Sequence, residues 1–343
     1  MKKYISYKNL INLLNVLAQD YQVFVPTEAK NGRFYKKYSA DCGKIVIGEV
    51  RAVEPLKSFF LPGRERVAED FKPDLPQKDS RKPYAVVGVK ACDLKGFKVQ
   101  DYVFKDHDFE DPFYNKARQN NLIISADCTC CLESCFCIAL NLKPHPQESF
   151  DINLSQVDAG FVAETGTQRG ENIVKENFSL FEDAQDYMIS ERNQQREKVT
   201  GEIKANIKTQ DIPQESLYQG IIGKNYQSVL WQDEAKACVE CGACNTICPT
   251  CHCFLLYDQK DKGKMMRLRI WDSCMIKDFA RVAGGANPRE RLWMRLRNRF
   301  EKKFDYFPKV SGIYACTGCG RCIAACPAKI DIRKVLKRLV DGR

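Results

Sequence analysis

The sequence predicts an α/β amino-terminal domain over residues 1–215 and a mostly α-helical carboxy-terminal domain over residues 216–343. Three observations carry that division. Two short apolar runs, Tyr84–Val89 and Asn121–Ala126, flank a helical pattern at Leu94–Phe104, which is the strand–helix–strand order of a parallel sheet. Residues 138–237 contain no cysteine and include a polar, charged helical stretch, Ala184–Ile207, that reads as a connecting helix. Beyond it, two cysteine runs of identical spacing organise the rest of the chain.

Taken in order, Ile5, Leu10, Leu13, Leu14 and Leu17 recur close to helical spacing and predict an amphipathic opening helix over residues 4–20. Val23–Val25 reads as a short strand ended by Pro26, and Lys44–Val50 as another. Residues 72–82 form a polar, Pro-rich stretch. The run at Tyr84–Val89 ends at Lys90-Ala91-Cys92-Asp93. The run at Asn121–Ala126 ends at Asp127-Cys128, and its loop continues through Cys130, Cys131, Cys135 and Cys137. In parallel sheets the functional crevice lies beyond the carboxyl ends of the strands, so both strands deliver cysteine there. Asp331–Val340 closes the chain as a basic helix.

The first carboxy-terminal run places Cys238, Cys241, Cys244 and Cys248 before Pro249, and the second places Cys316, Cys319, Cys322 and Cys326 before Pro327. Both read C-x2-C-x2-C-x3-C-P, the spacing that holds two 4Fe–4S clusters in bacterial ferredoxins, with the fourth cysteine of each run ligating the other cluster. Cys238, Cys241, Cys244 and Cys326 then form one ligand set, and Cys316, Cys319, Cys322 and Cys248 the other. Paired zinc sites are the alternative, but zinc knuckles favour pairs of C-x2-C. The domain is a helical, ferredoxin-like dicluster unit on this reading.

Cys92, Cys128, Cys135 and Cys137 supply four thiolates from two strand ends, the count a third 4Fe–4S cluster needs; the bland reading is buried or surface thiols. Cys130 and Cys131 are alternative ligands or a redox-active pair. Cys251, Cys253 and Cys274, with His252, are candidates for a further metal site or for packing around the clusters. Cys42 is isolated, and His107 and His145 have no partner pattern and read as structural or exposed. The insert between the runs is rich in arginine, including Arg267, Arg269, Arg281, Arg289, Arg295, Arg297 and Arg299. Its spacing suggests the solvated side of helices, serving an acidic partner, or arginines that bond near anionic clusters. The aromatic interleaving of single-strand binders is missing, so nucleic acid is not expected.

The 343 residues suffice for two domains, and a hydrophobic fraction of 44% permits a real core. The net charge of +10 favours a docking surface over an acidic diffusing carrier. Eighteen cysteines at metal-like spacing, with no signal-peptide pattern after Met1-Lys2-Lys3-Tyr4, predict a reducing, anaerobic cytoplasm. No apolar run reaches the roughly 18 residues of a membrane span. No G-x-G-x-x-G or P-loop is present, so no flavin or nicotinamide site is recognised.

Several motifs occur together in order: Val86-Val87-Gly88-Val89-Lys90-Ala91-Cys92-Asp93, Cys128…Cys135-Phe136-Cys137, Cys248-Pro249-Thr250-Cys251-His252-Cys253-Phe254, Trp271-Asp272-Ser273-Cys274-Met275, Ala283-Gly284-Gly285 and Cys316-Thr317-Gly318-Cys319-Gly320-Arg321-Cys322. Over roughly residues 80–335 the set resembles an iron–sulfur subunit family. That family is shared by the iron–sulfur electron-transfer component of anaerobic sulfite reductase and the beta subunit of cytoplasmic nickel–iron hydrogenases (sulfhydrogenases). The resemblance implies an electron-transfer subunit of a multi-subunit oxidoreductase. Its partners would be a flavoprotein that handles a nicotinamide and a catalytic component, which is a hydrogenase, a sulfite or sulfur reductase, or a heterodisulfide-reductase-type module. The family's ligand positions fall on the two runs and on Cys92, Cys128, Cys135 and Cys137; the extra Cys130 and Cys131 depart from it. The alternative function makes the amino-terminal cysteine site itself the catalyst that reduces a sulfur substrate or disulfide.

Overall fold

The computed structural model describes residues 2–70, 72–73, 82–106 and 109–342. His107 and most of the Pro-rich stretch lie outside them. Among the described residues there are twelve strands: β1 Lys2–Ser6, β2 Gln22–Ala29, β3 Gly32–Lys37, β4 Arg64–Glu69, β5 Lys72–Pro73, β6 Tyr84–Val89, β7 Leu122–Ala126, β8 Ile152–Val157, β9 Gly160–Thr165, β10 Glu182–Asp183, β11 Phe254–Asp261 and β12 Lys264–Trp271.

Eight of them make one mixed sheet in the order β10-β1-β9-β8-β7-β6-β2-β3. Strands β2, β6, β7 and β8 are parallel, and antiparallel strands flank them. The apolar runs at β6 and β7 are buried on both faces, which is why they read as continuous rather than alternating. One face packs on the helix Tyr7–Asp20 through Leu10, Leu13, Leu14 and Leu17. The other packs on the helix Ala91–Phe104 through Leu94, Phe97 and Phe104.

Three local expectations are corrected. The chain opens with β1, paired to β9, before the first helix begins at Tyr7. Strand β2 runs through Pro26, because its ladder to β6 ends at Phe24↔Val86 and no sheet hydrogen bond to β6 is lost there. Lys44–Val50 makes only a single bridge, Thr27↔Ile45.

The insert between the cysteine runs is not helical throughout. Residues 254–271 form the hairpin β11–β12, whose second strand pairs antiparallel with β4 in the order β11-β12-β4-β5. Segments from either side of residue 215 thus share a sheet. They also share a core: Phe136 and Leu140 pack with Val199, Ile203 and Ile207 of the helix Asp186–Thr209 and with Trp231, Phe300, Phe304 and Leu336. After the hairpin, the helix Leu292–Glu301 passes through a π-turn at Lys302–Tyr306 into Phe307–Ser311. Such π segments widen a helix locally and often occur at functional sites.

A chain of cysteine sites

Each carboxy-terminal run folds as a short loop ending in a four-residue helix, Ala243–Thr246 in the first and Arg321–Ala324 in the second. Gly242 and Gly320 stand just before these helices at φ of 70° and 69°, a left-handed conformation glycine adopts without steric cost. One pocket is lined by Cys238, Cys241, Cys244 and Cys326. Cys322 and Arg299 reach its wall. The fourth cysteine of the first run, Cys248, lies instead near Cys316 and Cys322: its charge pushes both of their pKa values up, behind the larger effect of burial, with Cys316 reaching about 12.

The strand-end cysteines meet at a second pocket. Cys92 comes from the start of the helix after β6, and Cys128 from the end of β7. Cys135, Cys137, Cys130 and Cys131 come from the loop that follows. The buried Lys90 ammonium ties the two strand ends together, donating to Ile47 O at 2.7 Å and Asp127 O at 2.8 Å. Cys319 of the second run also lines this cavity. The contact is close because of glycine. A Cβ on Gly318 would stand 2.5 Å from Cys137 Cα, and one on Gly320 would stand 2.2 Å from Ser134 O. Phe136 N donates to Gly318 O at 2.9 Å.

Cys251, His252 and Cys253 of the third group line one pocket with Phe104 and Trp271, while Cys274 Sγ accepts from Asn245 Nδ2 at 3.0 Å. The His252 ring turns to Thr250 O at 3.1 Å. Burial pushes the His252 pKa down to about 4. The neighbouring Cys253 thiol brings the Cys274 pKa down to about 6. Among the described residues no three His, Cys, Asp or Glu side chains converge as a single metal ion requires. Cys42 is buried away from these sites, against the helix Tyr7–Asp20 side of the large sheet.

Cationic side chains fill the spaces between the cysteines, and they decide whether clusters fit. Arg295, Arg297 and Arg299 are 1%, 7% and 5% exposed, so this part of the insert is an interior and not a solvated face. Arg295 donates to Met275 O and Arg289 O. Arg299 lies among Cys244, Cys322, Cys251 and Cys248, and its Nη2 is buried without a partner. Lys303, set by the π-turn, donates to Cys248 Sγ at 3.3 Å, Thr250 Oγ1 at 3.0 Å and Ala315 O at 3.0 Å. Burial pulls the Lys303 pKa down, but Cys248 and Cys251 outweigh it and leave the pKa raised. A buried cation without an anion is costly. Thiolates holding anionic iron–sulfur clusters supply that anion, so the residues present fit the group. Lys303 carries no sequence signal, nor do Lys57, which donates to Cys251 O at 2.9 Å, Arg51, which donates to Cys319 O, and Asn245, which donates to Cys274 Sγ; Arg321 sits inside the motif, but its partner across the fold is not legible there.

Cysteines in ferredoxin spacing, the fourth of each run set beside the other run and with buried cations among them, define an iron–sulfur protein of the dicluster ferredoxin class. Residues 237–330 match the family model described as a 4Fe-4S dicluster domain. The chain is also 31% identical to Sulfhydrogenase 2 subunit beta of Pyrococcus furiosus over 311 residues, 90% of this chain and 89% of that protein. The chain therefore belongs to the hydrogenase beta-type iron–sulfur subunit family, and it is an iron–sulfur oxidoreductase subunit. No helix among the described residues is long and apolar enough to cross a membrane.

Proposed function

We propose that the chain is a cytoplasmic relay subunit that holds three 4Fe–4S clusters in line between two redox partners. One partner is a flavoprotein linked to NAD(P)H, and the other is a catalytic component such as a hydrogenase or a sulfite or sulfur reductase. The ligand sets are Cys238, Cys241, Cys244 and Cys326; Cys316, Cys319, Cys322 and Cys248; and Cys92, Cys128, Cys135 and Cys137. The observation that carries the reading is the position of the second run. Its Cys322 reaches the wall of the first cavity, and its Cys319 lines the strand-end cavity. The second run is therefore the middle of a series.

When bound, each cluster takes up or releases one electron at a time. The chain's own residues hold the thiolates, exclude water and balance charge through Lys303, Arg299, Lys90 and Arg321. Cys241 is the exposed cysteine among the described residues, and Val239 beside it is 63% exposed. This favours the first-run site as the port to one partner. Membership in a family with a hydrogenase subunit supports a fixed complex.

Anaerobic determination of iron and acid-labile sulfide tests the count. Three cubes require about 12 iron atoms per chain, and Cys128→Ser should lower that to about 8. A wild-type value near 8 rejects the strand-end cluster. Cys130 and Cys131 line the same cavity and support a second reading, in which that site reduces a sulfur substrate or disulfide. Turnover of such a substrate by the isolated protein with an artificial donor would favour it.

A further inference from the structure

The mouth of the first-run site continues into a surface that the folded chain leaves uncovered. Val239, Cys241 and Pro327 line the same pocket and are all exposed. The segment 276–286 adjoins them, since a Cβ on Gly242 would stand 3.9 Å from Ile276 Cδ1. Asn287 Nδ2 donates to Lys277 O at 2.8 Å and closes the base of this segment. Val282 N donates to Ala286 O at 3.0 Å and Gly285 N to Val282 O at 2.8 Å, which turns its tip. Ile276 and Val282 are exposed. Gly285 is held at φ of 81°, where glycine is needed. Gly284 lies outside the left-handed region, and a Cβ there would meet nothing within 4 Å. The chain's own fold therefore does not require glycine at 284, and its bare backbone is open to an approaching surface.

The rim of this surface is cationic. Lys277, Arg281 and Lys329 are exposed and make no ion pair among the described residues. The acids in the same segments are Glu240 and Asp278. Arg295 Nη2 holds Glu240 at 2.7 Å, so Asp278 alone opposes the three cations. Lys236 nearby is paired with Asp233 at 2.7 Å and adds no net charge. An exposed apolar centre inside a rim of one sign is the composition of an electrostatically steered docking site.

We infer that the first-run mouth and the segment 276–286 together dock the acidic face of a small one-electron carrier protein. The inference rests on the relay reading, with the first-run site as one port. Lys277, Arg281 and Lys329 steer the carrier in. Val239, Ile276 and Val282 form the apolar centre of the contact, and Gly284 lets the two backbones come close. One electron leaves the reduced carrier and enters the site of Cys238, Cys241, Cys244 and Cys326; no bond is made or broken. A basic carrier meets like charge at the rim and is rejected.

The test measures binding to the anaerobically purified full-length holoprotein by titration calorimetry, with all proteins oxidised. The probes are an acidic plant-type ferredoxin and, as the opposite charge, the basic cytochrome c. The ferredoxin should bind, with an affinity that falls about tenfold or more from low to high salt. The double variant Lys277→Glu/Lys329→Glu should weaken it about tenfold and keep the wild-type iron count. Gly284→Phe should melt like the wild type and still weaken binding. Lys8→Glu, on the helix Tyr7–Asp20, should change nothing. Absence of ferredoxin binding, equally tight binding of cytochrome c, wild-type affinity in both surface variants, or an equal loss from Lys8→Glu overturns the inference. A wild-type count of about 8 iron atoms rejects the strand-end cluster and leaves this surface standing, whereas a count of about 12 without ferredoxin binding overturns this surface alone.

Discussion

Arg321 Nη2 donates to Asp93 Oδ2 at 2.8 Å, and both side chains are 1% exposed. The pair joins the second cysteine run to the residue after Cys92, across 228 positions of sequence. Arg321 also donates to Ala52 O, Val53 O and Glu54 O, while Asp93 Oδ1 accepts from Leu56 N. Removing one member of a buried pair leaves the other charge uncompensated, at a cost of about 3–5 kcal/mol. Asp93→Leu should lose that much stability in denaturant titrations of the holoprotein. The double variant Asp93→Leu/Arg321→Met should be less destabilised than Asp93→Leu alone.

Lys303 offers a test of redox tuning. Its ammonium is the charged donor to Cys248 Sγ, and a hydrogen bond to a charged group is worth about 1.5–3 kcal/mol. Part of that favours the reduced, more negative state. Lys303→Met should lower the midpoint potential of one cluster by on the order of 50 mV, given about 59 mV per tenfold change for one electron. Electron paramagnetic resonance during a redox titration would show one component shifted and the others in place. A uniform shift of all components would contradict the assignment.

Two glycines separate packing from backbone strain. Gly318 and Gly312 both have left-handed φ, 62° and 73°. A Cβ on Gly318 meets the Cys137 backbone at 2.5 Å, whereas one on Gly312 meets nothing within 4 Å. Gly312→Ala should cost only the conformational penalty, about 1–2 kcal/mol, and retain all iron. Gly318→Ala adds about 1–3 kcal/mol of overpacking and should lose iron from the strand-end site first. Melting curves and iron counts on both variants check the contrast.

His145 should make the protein acid-sensitive in a defined window. Burial, followed by the neighbouring Arg196 charge, holds its pKa down at about 4 against an ordinary 6.5. The unfolded chain therefore binds the proton first as pH falls. Stability is lost between about pH 6.5 and 4, and the contribution is flat above that range. His145→Gln should show a shallower decline of the urea midpoint between pH 7 and 5 than the wild type.

Much of the parallel core was legible because burial on both faces writes a continuous apolar run, as at β6 and β7. The cysteine runs were legible because a cube needs thiolates at fixed local spacing. The hairpin β11–β12 was not, because its strands carry Lys, Arg and Asp beside exposed Phe254, Leu255 and Leu256 and so lack clean alternation. Its pairing with β4 joins segments far apart in the chain, from Met266↔Glu69 to Ile270↔Arg64. The arginines of the helix Leu292–Glu301 left a solvated face and a place beside anionic sites both open, for a related reason. Charge normally marks a solvated face, and nothing local records that anionic sites await these side chains inside.

The sequence by itself determined that this chain carries iron–sulfur ligand spacing and a parallel α/β core, since both are patterns of near neighbours. Only the tertiary structure decided that Gly318 and Gly320 seat the second run against the Cys135–Cys137 loop. It alone put Lys303 on Cys248 Sγ. Those relationships depend on long-range close packing and charge compensation, which no local pattern encodes.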